Sequence, residues 1–302
     1  MLPSVTCAAW AGRRRRADYD GAVVQKARRL GGRTHVGRPL GNVTRGTTNP
    51  NRMRRVDRWI TGTQAWRLRR TGPSPVAVDL GYGASGGTAV ELFERLRSVR
   101  PDARLVGLEI EPARVSGAQG LVRDGLDFRR GGFEVPVAPD PVLIRAFNVL
   151  RQYNEEDVPA IWASLAGRLG EHGLVVEGTC DEIGRRAAWV GIEPDGPRTL
   201  SVSLRFGGFA LPSDVADRLP KALIHRNVPG EPIHEYLRAA DAAWLAAAPL
   251  ASYGNRQRWI AMCAALKADG WPVADGRSRW RLGELTVDWS CVAPRGGALA
   301  LP

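Results

Sequence analysis

The sequence predicts an α/β fold, a three-layer sandwich in which a mostly parallel seven-stranded sheet lies between two layers of helices. From Val76 onward, short apolar segments alternate with amphipathic helical segments, as in strands joined by crossover helices. The apolar segments show little polar alternation, which is typical of strands buried on both faces. The predicted strands lie within 76–80, 103–110, 126–133, 141–149, 174–180, 199–206 and 283–293, and we expect the last strand to be antiparallel.

The chain divides into three regions by composition. Residues 1–72 contain 17 Lys and Arg against three acidic residues, whereas the rest of the chain carries 26 basic and 28 acidic residues. The net charge of +12 therefore comes from the N-terminal part. We expect a basic, disordered tail at 1–43, a helical cap at 44–72 and the main domain at 73–302. The tail is either a nucleic-acid-binding arm or a solvated extension.

The cap is predicted from a helix with capping residues and an aromatic side. Asn49 is a good N-cap residue, and Pro50 suits the first helical position. Trp59 and Trp66 lie beside the apolar face, so we expect that side to pack on the main domain. Gly62 is a candidate break in the helix.

Helices are also predicted between the strands of the main domain, at 88–99, 112–123 and 154–173. A longer helical insertion, at about 210–271, separates the last two strands. It is either a lid over a substrate pocket or ordinary packing.

The first strand leads into a glycine-rich loop, Gly81-Tyr82-Gly83-Ala84-Ser85-Gly86, and then into a helix. This GxGxxG spacing allows a tight turn, close approach of a ligand to the backbone, and close packing of helix on strand. The second strand ends in Glu109, 23 residues after Gly86, where a carboxylate can accept hydrogen bonds from both hydroxyls of a ribose. Together the two features predict a nucleoside-containing cofactor.

Asp79 bears on the class of cofactor. A carboxylate two residues before the first glycine would repel a pyrophosphate, whereas a cationic cofactor without phosphate tolerates it. The segments DLGYG and VGLEIEP resemble the motifs of the class I S-adenosylmethionine-dependent methyltransferases, over roughly 76–187 and towards 293. The resemblance implies a Rossmann-like fold, S-adenosylmethionine as cofactor and S-adenosylhomocysteine as product.

The resemblance also implies roles for individual residues. Gly81 and Gly83 would form the floor under the cofactor, Asp79 would lie near its amino-acid end, and Glu109 would hold the ribose. The stretch LIRAFNVLRQY resembles the end of strand four in several such enzymes, which places Asn148 facing the cofactor and Tyr153 at the mouth of the site. The full set of expected cofactor-binding residues is Asp79, Gly81, Tyr82, Gly83, Gly86, Glu109, Ile110, Phe133 and Asn148.

One departure from the family concerns the adenine. Where the family often has an acid that contacts the adenine amino group, this sequence has Gly132. Adenine recognition would then come from backbone groups or from Phe133.

The methyl acceptor is not specified, because in-line transfer from a cationic donor depends mainly on positioning, and no catalytic residue is predicted. Candidate substrate contacts are Tyr153, Glu177 and His225. Arg54, Arg55, Arg58 and Trp59 have the composition of an RNA contact, so RNA and small molecules are comparable candidates.

Other classes of function are less well supported. The four cysteines and four histidines lack metal-ligand spacing, so no metal is predicted. Widely spaced cysteines and the lack of a long apolar run predict a cytoplasmic protein with reduced thiols. Two alternatives stay open: a catalytically silent nucleic-acid-binding module on the same fold, and an NAD-dependent oxidoreductase.

Overall fold

The computed structural model describes residues 39–43, 49–296 and 299. Residues 1–38 of the predicted basic tail (1–43) and residues 44–48 of the predicted cap lie outside the described residues. Residues 39–43 were assigned to that tail, but the structure places them against the main domain, as described below.

The sheet has eight strands in the order β3-β2-β1-β4-β5-β6-β7-β8. The first five strands pair in parallel, and β6, β7 and β8 add antiparallel pairs at one edge. Their bounds are β1 Val76–Leu80, β2 Arg104–Glu109, β3 Leu126–Arg130, β4 Leu143–Phe147, β5 Leu174–Cys180, β6 Arg186–Glu193, β7 Gly196–Leu204 and β8 Glu284–Asp288. The Rossmann-like α/β prediction is therefore confirmed.

One strand was not predicted. β6 forms a hairpin with β7 across the two residues Pro194 and Asp195. It adds an eighth strand and a second reversed one: β6 and β8 run opposite to the other six strands, whereas only the last strand was expected to do so. Trp189 and Val190 on β6 are fully buried, so this strand is part of the core.

Helices cover both faces of the sheet. Their bounds are α1 Arg54–Thr63, α2 Ala65–Arg70, α3 Gly87–Val99, α4 Pro112–Ala118, α5 Val158–Ala166, α6 Lys221–Ile224, α7 Pro232–Ala246, α8 Asn255–Ala268 and α9 Arg277–Trp280. Apolar residues of α1 to α4 share one core cluster with one face of the sheet. Those of α5, α7 and α8 share the cluster on the other face. The helical insertion, which lies between β7 and β8 in the sequence, thus packs on one face of the sheet. Its Trp244 and Trp259 are buried.

The described part of the region expected to form the cap contains two short helices, and their boundaries differ from the expected ones. A turn occupies 50–53, and α1 begins at Arg54 rather than at Pro50. The break between α1 and α2 falls at Gln64, two residues after Gly62. Trp59 is buried and packs edge-on against Trp189 of β6, with ring centroids 5.6 Å apart.

A buried ionic cluster joins the cap to the sheet. Arg145 of β4 is fully buried; its Nη1 lies 2.5 Å from Asp57 Oδ1 of α1, and its Nη2 lies 2.6 Å from Asp79 Oδ2 of β1. Arg95 of α3 contacts the other oxygen of Asp57 at 2.9 Å. Burial raises the pKa of Asp57 to about 6, although Arg145 and Arg95 oppose the rise. Buried charges persist in proteins when they are paired and hydrogen-bonded in this way.

Candidate functional site

A cleft of about 240 Å³ lies where the parallel strands β1, β2, β3 and β4 end. Ligands of open α/β sheets bind at this edge, because the loops after the strands converge there. The lining residues are Leu40, Asn42, Leu80, Gly81, Glu109, Ile110, Gly131, Gly132, Phe133, Val149 and Tyr153.

The glycine loop and the acid at the end of β2 meet at this cleft. The backbone N–H of Gly83 donates to Glu109 Oε2 at 3.1 Å, and the N–H of Ile110 donates to Glu109 Oε1 at 2.9 Å. Arg114 Nη1 lies 3.3 Å from Glu109 Oε2. Gly81 and Gly83 adopt φ of 68° and 86°, a left-handed conformation that favours glycine. The loop is thereby turned towards Glu109.

Five of the residues predicted from sequence line the cleft: Gly81, Glu109, Ile110, Phe133 and Tyr153. They come from loops after four different strands, so the fold brings them together. Phe133 and Tyr153 pack with ring centroids 5.3 Å apart, and burial raises the pKa of the Tyr153 phenol. An aromatic pair therefore forms one wall.

The expectation for Asp79 needs correction. Asp79 is buried, and its two oxygens accept hydrogen bonds from Arg145 Nε at 2.9 Å and Nη2 at 2.6 Å. It shares the core on the cap side of the sheet and does not line the cleft. Because Arg145 pairs with its charge, Asp79 no longer argues against a phosphate-containing ligand.

Tyr82 and Gly86 have packing roles rather than a place in the cleft. The Tyr82 ring is buried edge-on against Phe128 of β3, with centroids 5.1 Å apart. A Cβ atom on Gly86 would lie 2.8 Å from the Phe128 ring. Glycine is therefore needed there for α3 to approach β3, as its position in the GxGxxG spacing suggested.

Asn148 was expected to face the cofactor, but its side chain points to β5. Its Oδ1 accepts from the Cys180 N–H at 3.0 Å, and its Nδ2 lies 3.4 Å from Cys180 Sγ. The residue adopts φ of 58°, a conformation that asparagine tolerates. Asn148 thus ties β4 to β5, while the neighbouring Val149 lines the cleft.

Glu177 and His225 are not brought to the cleft either. Glu177 is fully buried on β5 beside Trp162, and burial raises the pKa of its carboxyl to about 8. Neither of its oxygens has a hydrogen-bond partner of normal geometry among the described residues. His225 is exposed at the end of α6, where its Nε2 lies 3.1 Å from Lys221 Nζ.

Two of the four residues that were expected to contact RNA, Trp59 and Arg55, are engaged in contacts within the protein. Trp59 is buried, as described above. Arg55 donates to Gly184 O at 3.1 Å, to Ser203 Oγ at 3.1 Å and to Leu282 O at 3.0 Å. Only Arg54 and Arg58 of this set are exposed. Trp59 is core, whereas Trp66, which was expected to pack on the main domain beside it, is exposed, with Arg67 and Arg70 over its ring.

Six lining residues were not among the predicted site residues: Leu40, Asn42, Leu80, Gly131, Gly132 and Val149. Leu80, Gly131, Gly132 and Val149 lie at or near the ends of predicted strands, but Leu40 and Asn42 lie far from them in the sequence. Leu40 and Asn42 belong to a five-residue segment, 39–43, that we name the strap. The Leu40 N–H donates to Glu134 Oε2 at 2.7 Å, and Leu40 O accepts from the Phe133 N–H at 2.9 Å. The Asn42 N–H donates to Tyr153 Oη at 2.5 Å. The strap lies in a basic, glycine-rich stretch, and no periodic pattern indicated these contacts.

The cleft is apolar with one charged side chain. Glu109 is the sole carboxylate among the lining residues, and no Lys or Arg lines the cleft within the described part of the chain. Arg114 pairs with Glu109 but does not line the cleft, so a phosphate would find no lining cation among the described residues. A ribose and an apolar base fit this lining.

No group of three or more His, Cys, Asp or Glu residues that could hold a metal ion occurs in the parts of the chain that the structure describes. Within the same residues, no helix has the length and apolarity needed to cross a membrane.

No protein-family model matches the chain, and no curated protein matches it. Several solved structures match part of the chain. One is named as a sarcosine dimethylglycine methyltransferase from Galdieria sulphuraria, with 16% identity, a TM-score of 0.34, and coverage of 52% of this chain and 59% of that chain. The plantazolicin methyltransferase BamL, solved with S-adenosylhomocysteine, has 16% identity, a TM-score of 0.32, and coverage of 43% and 46%.

A variant of LepI, solved with S-adenosylhomocysteine and a substrate analogue, has 17% identity and a TM-score of 0.32, with coverage of 38% of this chain and 30% of that chain. The match thus spans less than two thirds of each of these proteins. Similarity at this level is too partial for the activities of these proteins to be assigned to this chain.

Proposed function

We propose that this protein is a methyltransferase that binds S-adenosylmethionine in the cleft. The observation that carries the proposal is the hydrogen bond from the Gly83 N–H to Glu109 Oε2. It joins the glycine loop after β1 to the acid at the end of β2. This contact supports the proposal that the two features, which together predict a nucleoside-containing cofactor, act at one site.

The residues at the cleft suit the parts of the cofactor. Glu109 would accept hydrogen bonds from the ribose hydroxyls, which requires it to exchange part of its contact with the loop. Ile110 and Phe133 would contact the adenine as apolar surfaces. Gly81 would let the ligand approach the backbone closely.

When bound, S-adenosylmethionine supplies an activated methyl group on a sulfonium cation. This chain's residues would orient it and exclude water, and well-oriented reactants gain on the order of 7–11 kcal/mol from proximity. A largely apolar cleft without a lining cation among the described residues disfavours an anionic ligand. No general base is assigned, because Glu177 is buried away from the cleft and a base is needed only for a protonated acceptor.

Methyl transfer can be tested without knowing the acceptor. The protein is incubated with methyl-labelled S-adenosylmethionine and a cell extract that has been divided into small molecules, RNA and protein. The proposal predicts label in one fraction, and less label with Gly83→Val, because valine is strained at φ of 86° and would displace the loop. Equal label from both proteins, or none from the parent with any fraction, would contradict catalysis at this site.

A further inference from the structure

The strap at 39–43 packs closely against the loop after β3 at the cleft. A Cβ atom on Gly132 would overlap the carbonyl oxygen of Leu40, so the strap packs where a side chain is absent. Farther along the chain, a Cβ atom on Gly184 would overlap the carbonyl oxygen of Arg52 in the same way. Two glycines of the main domain thus accommodate the backbone of segments that precede α1.

Directional hydrogen bonds hold the strap as well as this close contact. Glu134 accepts from the Leu40 N–H, and Phe133 donates to the Leu40 carbonyl. Gln152 Nε2 donates to Asn42 O at 3.1 Å, and Tyr153 accepts from the Asn42 N–H. Four hydrogen bonds over three residues fix the strap to the loops after β3 and β4.

These hydrogen bonds engage the backbone groups that an adenine ring could otherwise contact. Gly132 leaves no acid at that position, so the candidates there are backbone groups. The Phe133 N–H is bonded to Leu40 O, and the Gly132 N–H donates to Glu134 Oε1 at 2.8 Å. An adenine edge that bound the Phe133 N–H would have to replace Leu40 O, because one N–H makes one good hydrogen bond.

The lining of the cleft agrees with this competition. Leu40 and Asn42 are themselves lining residues, on the same side as Gly132 and Phe133. A ligand that contacts the backbone of Gly132 and Phe133 therefore has to share or replace the space that the strap occupies.

We propose that the strap is a built-in competitor of the cofactor: Leu40–Asn42 occupy the adenine side of the cleft, and cofactor binding requires their release. This inference rests on the proposed function and adds a regulation to the same site. The opposite behaviour is a lid that closes over bound cofactor. The competitor and the lid have opposite effects on cofactor affinity, because a competitor weakens binding and a lid strengthens it.

Two variants of the full chain loosen the strap by different means. Gly132→Ala places a methyl group against the Leu40 carbonyl. Glu134→Ala removes the acceptor of the Leu40 N–H and adds no atom to the cleft, since Glu134 does not line it. Gly276→Ala is a matched control, because its added Cβ meets nothing within 4 Å and its backbone is extended.

Binding of S-adenosylhomocysteine is measured by calorimetry and stopped-flow for all four proteins. Where a closed state limits binding, destabilising it raises the apparent affinity in proportion, so we expect about tenfold tighter and faster binding by Gly132→Ala and Glu134→Ala. Gly276→Ala should match the parent. Binding by the two strap variants but not by the parent would also support the competitor.

Amide hydrogen exchange gives a readout that is independent of affinity. The Leu40 and Asn42 amides are hydrogen-bonded in this structure, so they should exchange slowly without ligand and faster with saturating S-adenosylhomocysteine. Slower exchange with ligand, together with unchanged or weaker binding by the strap variants, would overturn the competitor and leave the proposed function standing. Absence of binding by the parent and by both strap variants would overturn both.

Discussion

Arg145 holds the carboxylate of Asp79 through two hydrogen bonds, of 2.9 and 2.6 Å, inside the protein rather than at the cleft. The same guanidinium reaches Asp57 of α1. A carboxylate that sequence reasoning assigned to the cofactor thus connects the first strand, the fourth strand and the N-terminal cap. Its position before the glycine loop reflects the assembly of the fold.

Arg145→Met should destabilise the protein strongly. It leaves Asp57 and Asp79 buried near each other without their shared cation, and breaking a buried pair costs about 3–5 kcal/mol. Urea denaturation followed by circular dichroism measures the free energy of unfolding. Arg123→Met is the control, because its pair with Glu94 is exposed at the surface and is worth less than about 1 kcal/mol. If Arg145→Met lowers the free energy of unfolding as little as the control does, the ionic cluster contributes little to stability.

Asp79→Asn should separate stability from cofactor binding. The variant loses a charged partner of Arg145, so the free energy of unfolding should fall by about 2 kcal/mol. The dissociation constant for S-adenosylhomocysteine should change less than about threefold, an energy difference below about 1 kcal/mol, because Asp79 does not line the cleft. Calorimetry at a temperature where both proteins are folded provides the comparison. A large loss of affinity in a variant of unchanged stability would return Asp79 to the binding site.

Glu177→Gln should stabilise the protein at neutral pH and flatten its pH dependence. Burial raises the pKa of Glu177 from 4.5 to about 8, so between these values the native state keeps a proton that the unfolded chain releases. Stability from this group is complete below pH 4.5 and is lost as the pH rises towards 8, with a slope of about 1.4 kcal/mol per pH unit.

Glutamine at this position removes the pH-dependent loss of stability. The free energy of unfolding at pH 7 should therefore rise by about 3 kcal/mol at most. Urea denaturation between about pH 5 and 9 tests the prediction. Asp57 and Asp275, whose pKa values are raised to about 6 chiefly by burial, keep a weaker dependence at lower pH in the variant. A slope identical to the parent's between about pH 6 and 8 would show that Glu177 is ionised in the native state.

Glu109→Ala should weaken S-adenosylhomocysteine binding by about ten- to a hundredfold, since charge-assisted hydrogen bonds contribute about 1.5–3 kcal/mol. The variant also frees the Gly83 N–H that holds the loop. Glu94→Ala, which removes an exposed carboxylate on α3, serves as the control. If both variants bind as the parent does, Glu109 does not hold the ribose.

The sequence predicted the parallel half of the sheet well because most strands there are short apolar runs and helices follow β1, β2 and β4. β3 is the exception, since it ends in two exposed arginines and the described residues between it and β4 form no helix. Sequence reasoning missed β6, although the apolar run AAWVGI and the Pro194–Asp195 turn carried a hairpin pattern. The role of Asp79 could not be predicted, because it depends on Arg145, 66 residues away. The strap was missed for a similar reason. Leu40 is placed by Phe133 and Glu134, whose backbone and side chain no local pattern connects to it.

The most direct measurement is calorimetric titration of the full chain with S-adenosylmethionine, S-adenosylhomocysteine and NAD in parallel. The account predicts binding of both adenosyl ligands and none of NAD, because the cleft offers a carboxylate for a ribose and, among the described residues, no lining cation for a pyrophosphate. The Gly132→Ala protein is titrated alongside, so that a weak signal from the parent is compared with a loosened strap. Binding of NAD, or silence of both proteins with all three ligands, would contradict the proposed function.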